Sequence, residues 1–159
     1  MTRIGITGHA NLAPGTVAAV TAVLERVLSD AGEPLVGVTC LARGADQLFA
    51  RVVLELGGQI EVIVPAADYR ARKVGRDNAA EFDELISKSV HVRVMPNERS
   101  DRTAYMAASE AMLSSVDEMI AVWDGQRADA PGSTGDVVQA AQERGLPITI
   151  VWPHGARRE

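Results

Sequence analysis

A single cysteine, Cys40, is present in the chain, which excludes an intrachain disulfide and any zinc site built from cysteines. Aromatic residues are equally scarce. Phe49, Phe82, Tyr69, Tyr105, Trp123 and Trp152 are the whole set, so a core has to be filled by Ala, Val, Leu and Ile, which suits helices packed closely on a sheet. Basic residues form no large block, and 16 Lys and Arg stand against 21 Asp and Glu for a net charge of −5. That balance argues against duplex nucleic acid as a partner. No apolar run approaches the roughly 20 residues of a membrane-spanning helix. The opening MTRIGITGHA lacks the charged-then-apolar build of a signal peptide. A cytoplasmic protein with no membrane partner is therefore expected.

What is there is a regular alternation. Hydrophobic residues make up 47% of 159 residues, enough for one domain with one core and too few residues for two ordinary ones. Short Val/Ile/Leu runs at Arg3–Thr7, Leu35–Leu41, Ile60–Val64, Val90–Val94, Glu118–Trp123 and Ile148–Trp152 read as strands. Segments with apolar residues at helical spacing lie between them: Pro14–Ala31, Ala45–Leu56, Asn78–Lys88, Thr103–Ser115 and Thr134–Arg144. Pro near the start and Gly after the end punctuate several of these. Continuous rather than alternating apolar strands indicate burial on both faces. The pattern predicts an α/β, Rossmann-like, doubly wound and mainly parallel sheet flanked by helices, in a single domain over residues 1–155, with 156–159 a frayed tail. Asp68–Asp77 and Asn97–Arg102 read as charged loops. The first carries Arg70, Arg72, Lys73 and Arg76, a solvated face or, alternatively, a lid over an anionic ligand.

In such a sheet ligands bind beyond the carboxyl ends of the strands. Four clusters fall there: Thr7-Gly8-His9-Ala10-Asn11, Ala42-Arg43-Gly44-Ala45-Asp46, Asp124-Gly125, and Gly132-Ser133-Thr134-Gly135-Asp136. Two of them place Gly and hydrogen-bond donors directly before a helix, where unpaired backbone N–H groups and the positive end of the helix dipole favour an anion. Each alone reads as a tight turn with an N-cap; their convergence on one sheet edge points to a phosphate. No G-x-G-x-x-G and no G-x-x-x-x-G-K-[ST] occurs, which argues against ordinary dinucleotide binding and P-loop hydrolysis. His91 and His154 have no partner at metal spacing, and no metal site is assigned.

Taken together, ITGH, LARGADQLFA and PGSTGDVVQAA resemble the SLOG superfamily, the Rossmann-like group that includes LOG phosphoribohydrolases, DNA-processing protein A and molybdenum-cofactor carriers. The likeness runs from Ile4 to Pro153 and is nearest to small bacterial members with an A-R-G-A-D motif. It implies a nucleotide or nucleotide-derived ligand, its phosphate on Gly132, Ser133, Thr134 and Gly135, with further contacts from Gly8, Arg43, Gly44 and Asp46. No cofactor is required by it, though a divalent cation accompanying the phosphate is compatible. Homo-oligomerisation is expected by analogy, with Thr103–Ser115 either a partner surface or core.

LOG-type hydrolases carry P-G-G-x-G-T-x-x-E, the Glu being catalytic, with an Arg four residues before a Met on the preceding helix. Residues 131–139 keep that spacing but substitute Ser133, Asp136 and Gln139, while Arg102 and Met106 keep the interval. A neutral amide neither stabilises an oxocarbenium-like state nor activates water as a carboxylate does. Binding is thus favoured over cutting, with Gln139 available to a ribose hydroxyl. If the protein is a phosphoribohydrolase, Arg102 and the displaced carboxylate of Asp136 are its candidate catalytic residues; otherwise Asp136 caps its helix or faces a sugar or a metal ion. His9, Asp124 and Gly125 complete the candidate ligand-binding set, with capping or turn roles as their alternatives. Asp46 is expected to cap the helix after Gly44, or to bond across loops or to a ribose. Cys40 is expected to be buried and inert.

Overall fold

The computed structural model describes residues 1–127 and 130–159. Six strands, β1 (Thr2–Gly8), β2 (Leu35–Thr39), β3 (Gln59–Val64), β4 (His91–Val94), β5 (Glu118–Val122) and β6 (Ile148–Val151), alternate with α1 (Pro14–Ser29), α2 (Ala45–Glu55), α3 (Tyr69–Lys73), α4 (Ala79–Lys88), α5 (Arg102–Leu113) and α6 (Thr134–Glu143). The strands form one sheet in the order β4-β3-β2-β1-β5-β6, and every pairing is parallel. This is the doubly wound arrangement expected from the alternation, differing from it mainly by α3, a short helix in the segment read as loop.

Helices cover both faces. Thr16, Val20, Leu24 and Leu28 make a buried stripe along α1 at four-residue spacing, which packs against α2. With α4 they close one side of the sheet over Ile4, Ile6, Phe49, Ile60 and Leu85. On the other side α5 and α6 pack together over Val38, Ile63, Met112 and Met119. The five residues of β2 are all buried, which is why that strand shows no alternation in its sequence. α5 presents Ala104, Ala108, Met112 and Leu113 inward, so its small and Met residues serve the core of this chain.

From β1 the chain proceeds to β2 on one side, and β5 lies on the other. Strand order reverses there, and the register brings Gly8 opposite Val122 at the carboxyl ends. A crevice opens beyond this point in folds of this kind. The C-terminal segment, expected to fray, is instead tied down beside it. Leu12 and Arg158 form an antiparallel bridge, the Ala13 N–H donates to the Arg157 carbonyl at 3.0 Å and the Glu159 N–H to the Asn11 carbonyl at 2.8 Å. Backbone pairing with the loop after β1 outweighs the chain entropy that frays a terminus.

Candidate functional site

Two adjoining cavities lie at the switch point. The larger, about 530 Å3, runs from the end of β1 (Ile6, Thr7, Gly8) past Asp46 to Tyr69 and Asn78. The smaller, about 210 Å3, is lined by His9, Gln126, the Gly132–Gly135 loop and Arg158. Both touch Gly8, Ala10, Gly132 and Thr134, so they are two ends of one site. A roomier depression, about 770 Å3, sits at the opposite end of the sheet around Leu28, Pro34 and Gly58. Its polar side chains are Ser29, Glu33 and Gln59, and it lies away from the carboxyl ends of the strands, where ligands bind in such sheets.

The loops interlock before they can bind anything. Gly44 has φ +87°, and a Cβ there would stand 2.6 Å from the His9 carbonyl oxygen and 2.7 Å from that of Ala10. Only glycine allows the β2–α2 loop to nest so closely on the β1–α1 loop. The Ala45 N–H donates to the His9 carbonyl at 3.2 Å, which seals the contact. Gly44 thus shapes the site without lining either cavity.

At the mouth of α6 the donors divide. Ser133 is the N-cap, its Oγ accepting from the Asp136 N–H at 3.3 Å. Asp136 accepts from the Gly132 N–H at 3.0 Å, and the Ser133 N–H donates to the Ala130 carbonyl at 3.2 Å. The N–H groups of Thr134 and Gly135 remain, with no acceptor among the described residues, in the first turn of a helix where an anion is favoured. Gly132 holds φ +80° with Tyr105 Cβ 2.9 Å from where its own Cβ would stand, so the loop lies directly on α5. Ser133 therefore caps the helix, and Asp136, inside the first turn, closes the glycine loop.

His9 is buried at 7% exposure. Its Nε2 accepts from the Asp124 N–H at 3.1 Å and lies 3.3 Å from the Asp124 carboxylate. An accepting Nε2 requires a neutral ring. Burial and, after it, Arg158 push the imidazole below its ordinary 6.5, more than Asp124 raises it, so the hydrogen bond from the Asp124 N–H, not an ion pair with the carboxylate, links the two residues. Burial works to raise the Asp124 carboxyl, but the Gln126 N–H, His9 and Arg158 outweigh it and hold it below its usual range. Asp124 orients the loop through these bonds and lines neither cavity; Gly125, at φ +82°, forms the turn behind it.

Arg158 is the residue that sequence reasoning missed. It lines the smaller cavity, its Nε donates to the Asn11 Oδ1 at 2.9 Å, and its guanidinium lies 3.6 Å from Asp124. Nothing in Pro153–Glu159 signals this, since only the pairing of the tail with residues 11–13 carries Arg158 there. Arg43 stands at the rim of the larger cavity, paired with Asp77 at 2.5 Å. Of the basic run, Lys73 lines the same cavity, whereas Arg70 pairs outward with Asp83.

Asp46 does not cap α2: Gly44 is the N-cap and no side chain caps that helix. Lying inside the first turn, Asp46 turns back across the loop to accept from the Ala42 N–H at 3.2 Å. Cys40 lines the larger cavity beside it, half-buried, its thiol pushed well above its ordinary value by burial and then by Asp46, so it is not a reactive thiolate. Two residues fall outside the site. Gln139 is exposed and its amide donates to Glu143 at 3.2 Å. Arg102 is exposed at the start of α5 and lines neither cavity. Among the described residues no group of three or more His, Cys, Asp or Glu is placed to hold a metal ion.

No protein-family model matches the chain, and no curated protein matches it. Solved structures do. DNA processing protein A from Streptococcus pneumoniae superposes with a TM-score of 0.70 at 16% identity, covering 98% of this chain and 52% of its own. The Helicobacter pylori protein of the same name, whose structure concerns its single-stranded DNA binding mode, gives 0.69 at 13% identity, with 99% and 68% covered. The molybdenum cofactor carrier protein of Chlamydomonas reinhardtii gives 0.54 at 14%, with 94% and 75% covered. The chain thus spans about half the length of the first of these. With six parallel strands in this order, the chain shares its fold with DNA processing protein A and the molybdenum cofactor carrier protein.

Proposed function

We propose that this protein binds a phosphorylated nucleotide or nucleotide-derived small molecule at the C-terminal strand ends, as its sensor or carrier. The observation that carries this is the fusion, over Gly8 and the mouth of α6, of a cavity of about 210 Å3 at the helix N-terminus with one of about 530 Å3. The larger volume is in the range of small-molecule sites. The anion end offers the Thr134 and Gly135 N–H groups, the α6 dipole and Arg158. The structural neighbours include a cofactor carrier. Holding is favoured over cutting by the three positions a LOG-type hydrolase would need: Gln139 and Arg102 lie outside the cavities, and Asp136 is engaged with the Gly132 N–H.

Thermal unfolding with inorganic phosphate, ribose 5-phosphate and the four common ribonucleoside 5′-monophosphates tests this. A ligand at 100 times its Kd stabilises by about 2.7 kcal/mol, a rise of several degrees in Tm for a chain of this size. Gly135→Asp is the matched variant. Its Cβ would meet nothing nearer than Trp123 at 3.4 Å, so the fold tolerates it while a carboxylate occupies the anion seat. The expected result is stabilisation of the wild type and none of the variant; silence from all six probes, or stabilisation that survives Gly135→Asp, refutes it.

A further inference from the structure

The larger cavity contains a group that phosphate binding does not use. Asp46 is 7% exposed and lines the cavity wall. Its Oδ2 accepts the Ala42 N–H at 3.2 Å, and no donor among the described residues reaches Oδ1. A carboxylate has about four lone-pair sites, and because no buried side-chain oxygen or nitrogen among the described residues lacks a partner, Oδ1 is open to the cavity, where a ligand can donate to it. The lining around it is mixed, aromatic and apolar side chains standing with Thr7, Arg43, Lys73, Ser109 and Thr134. Tyr69 lines the same chamber and packs edge-on against Tyr105, ring centroids 6.3 Å apart, with Pro65, Val74 and Met112 completing the enclosure. The Asn78 amide is already locked in a reciprocal pair with Gln47 at 2.9 Å. A heteroaromatic ring fits the aromatic and apolar part of this lining, beside Tyr69 and Tyr105, and keeps one polar edge for the carboxylate.

Resting on the nucleotide-binding function proposed above, we propose that Asp46 determines specificity in this site, its Oδ1 accepting an N–H from the heterocyclic end of a ligand whose phosphate lies at α6. The groups facing Asp46 fit this role. Cys40 after β2 and Tyr69 on α3 stay protonated, both raised chiefly by burial, and Tyr105 on α5 is raised likewise. Arg43 and Lys73 line the cavity, but neither offsets the burial of Asp46, which the Ala42 N–H alone opposes. The carboxyl is consequently held at about 7, and ring recognition strengthens as pH rises through that value.

Isothermal titration of wild type and Asp46→Asn decides the matter, with the four ribonucleoside monophosphates, their 2′-deoxy counterparts, the free nucleosides and ribose 5-phosphate as probes. At least one monophosphate is expected to bind wild type tenfold or more tighter than ribose 5-phosphate. Asp46→Asn is expected to bring the two within about twofold while leaving ribose 5-phosphate unchanged. In wild type, that preference rises on the order of tenfold from pH 6 to pH 8, following the ionised fraction of a group near 7. This second measurement needs no variant and stands if Asp46→Asn misfolds. The proposal is overturned if no monophosphate is preferred, if Asp46→Asn keeps the preference, if the preference ignores pH, or if 2′-deoxygenation abolishes it, which would make the donor a sugar hydroxyl. Failure of the phosphate seat is distinguishable: free nucleosides would then bind wild type in an Asp46-dependent way while ribose 5-phosphate binds not at all.

Discussion

Replacing Asp46 by Asn should make the protein more stable at neutral pH, and by an amount that depends on pH in a defined way. Burial raises the Asp46 carboxyl from 3.8 to about 7. A raised value means that the folded state holds the proton more tightly than the unfolded chain. The associated stability is fully present below about pH 4 and is lost as pH climbs to about 7. At 1.36 kcal/mol per pH unit, the loss across that window is up to roughly 4 kcal/mol, a large fraction of the stability of a typical domain. Asn is neutral throughout and its amide oxygen still accepts the Ala42 N–H. The stability difference between Asp46→Asn and wild type should therefore be flat below pH 4, rise in favour of the variant by up to about 1.4 kcal/mol per pH unit, and level off above pH 7. Urea unfolding of both proteins at half-unit steps from pH 4 to 8 gives that difference directly. Titrations elsewhere, such as Glu61 held below its ordinary value by Arg3, cancel between the two proteins. A difference independent of pH, or a variant less stable than wild type at pH 8, would refute the burial of the Asp46 carboxyl.

Two further outcomes bear on the loops around the site. Arg158→Ala should weaken inorganic phosphate binding several-fold and raise the His9 imidazole toward its ordinary value, because Arg158 is second only to burial in depressing it; an NMR titration of the ring showing no upward change would contradict the placement of the tail. Gly44→Ala forces a Cβ against two carbonyl oxygens at positive φ and should cost about 1–3 kcal/mol in backbone strain alone. Its urea midpoint should fall and the His9–Asp124 contact should loosen with it; an unchanged midpoint would mean that the two loops do not interlock.

The strands and long helices were legible because each element advertises its own environment. Leu35–Thr39 is apolar throughout since helices cover both faces of β2, and α1 repeats its buried residues every four because one stripe faces the core. The glycine clusters were legible for a similar local reason: Gly44 and Gly132 sit at positive φ, where other residues are strained. Gln139 and Arg102 illustrate the converse. Motif spacing placed both in a site, yet spacing along a helix does not say which way the helix is turned, and the packing of α6 through Val137, Val138 and Ala141 leaves Gln139 facing outward. α3 went unread because a five-residue helix rich in Arg and Lys has too few apolar positions to show a period.

The sequence by itself determined the parallel α/β sheet, the edge of that sheet where a ligand would bind, and the glycine-bearing loops that line it, because these follow from local periodicity, turn chemistry and the rule that sites lie at strand ends. Only the tertiary structure decided which side chains meet there. Asp46 became a half-satisfied buried carboxyl instead of a helix cap because Gly44 took the capping position. Arg158 reached the smaller cavity because a backbone bridge carried it to Asn11–Ala13, 145 or more residues away along the chain. Contacts of that range depend on how the whole chain closes, and no local pattern records them.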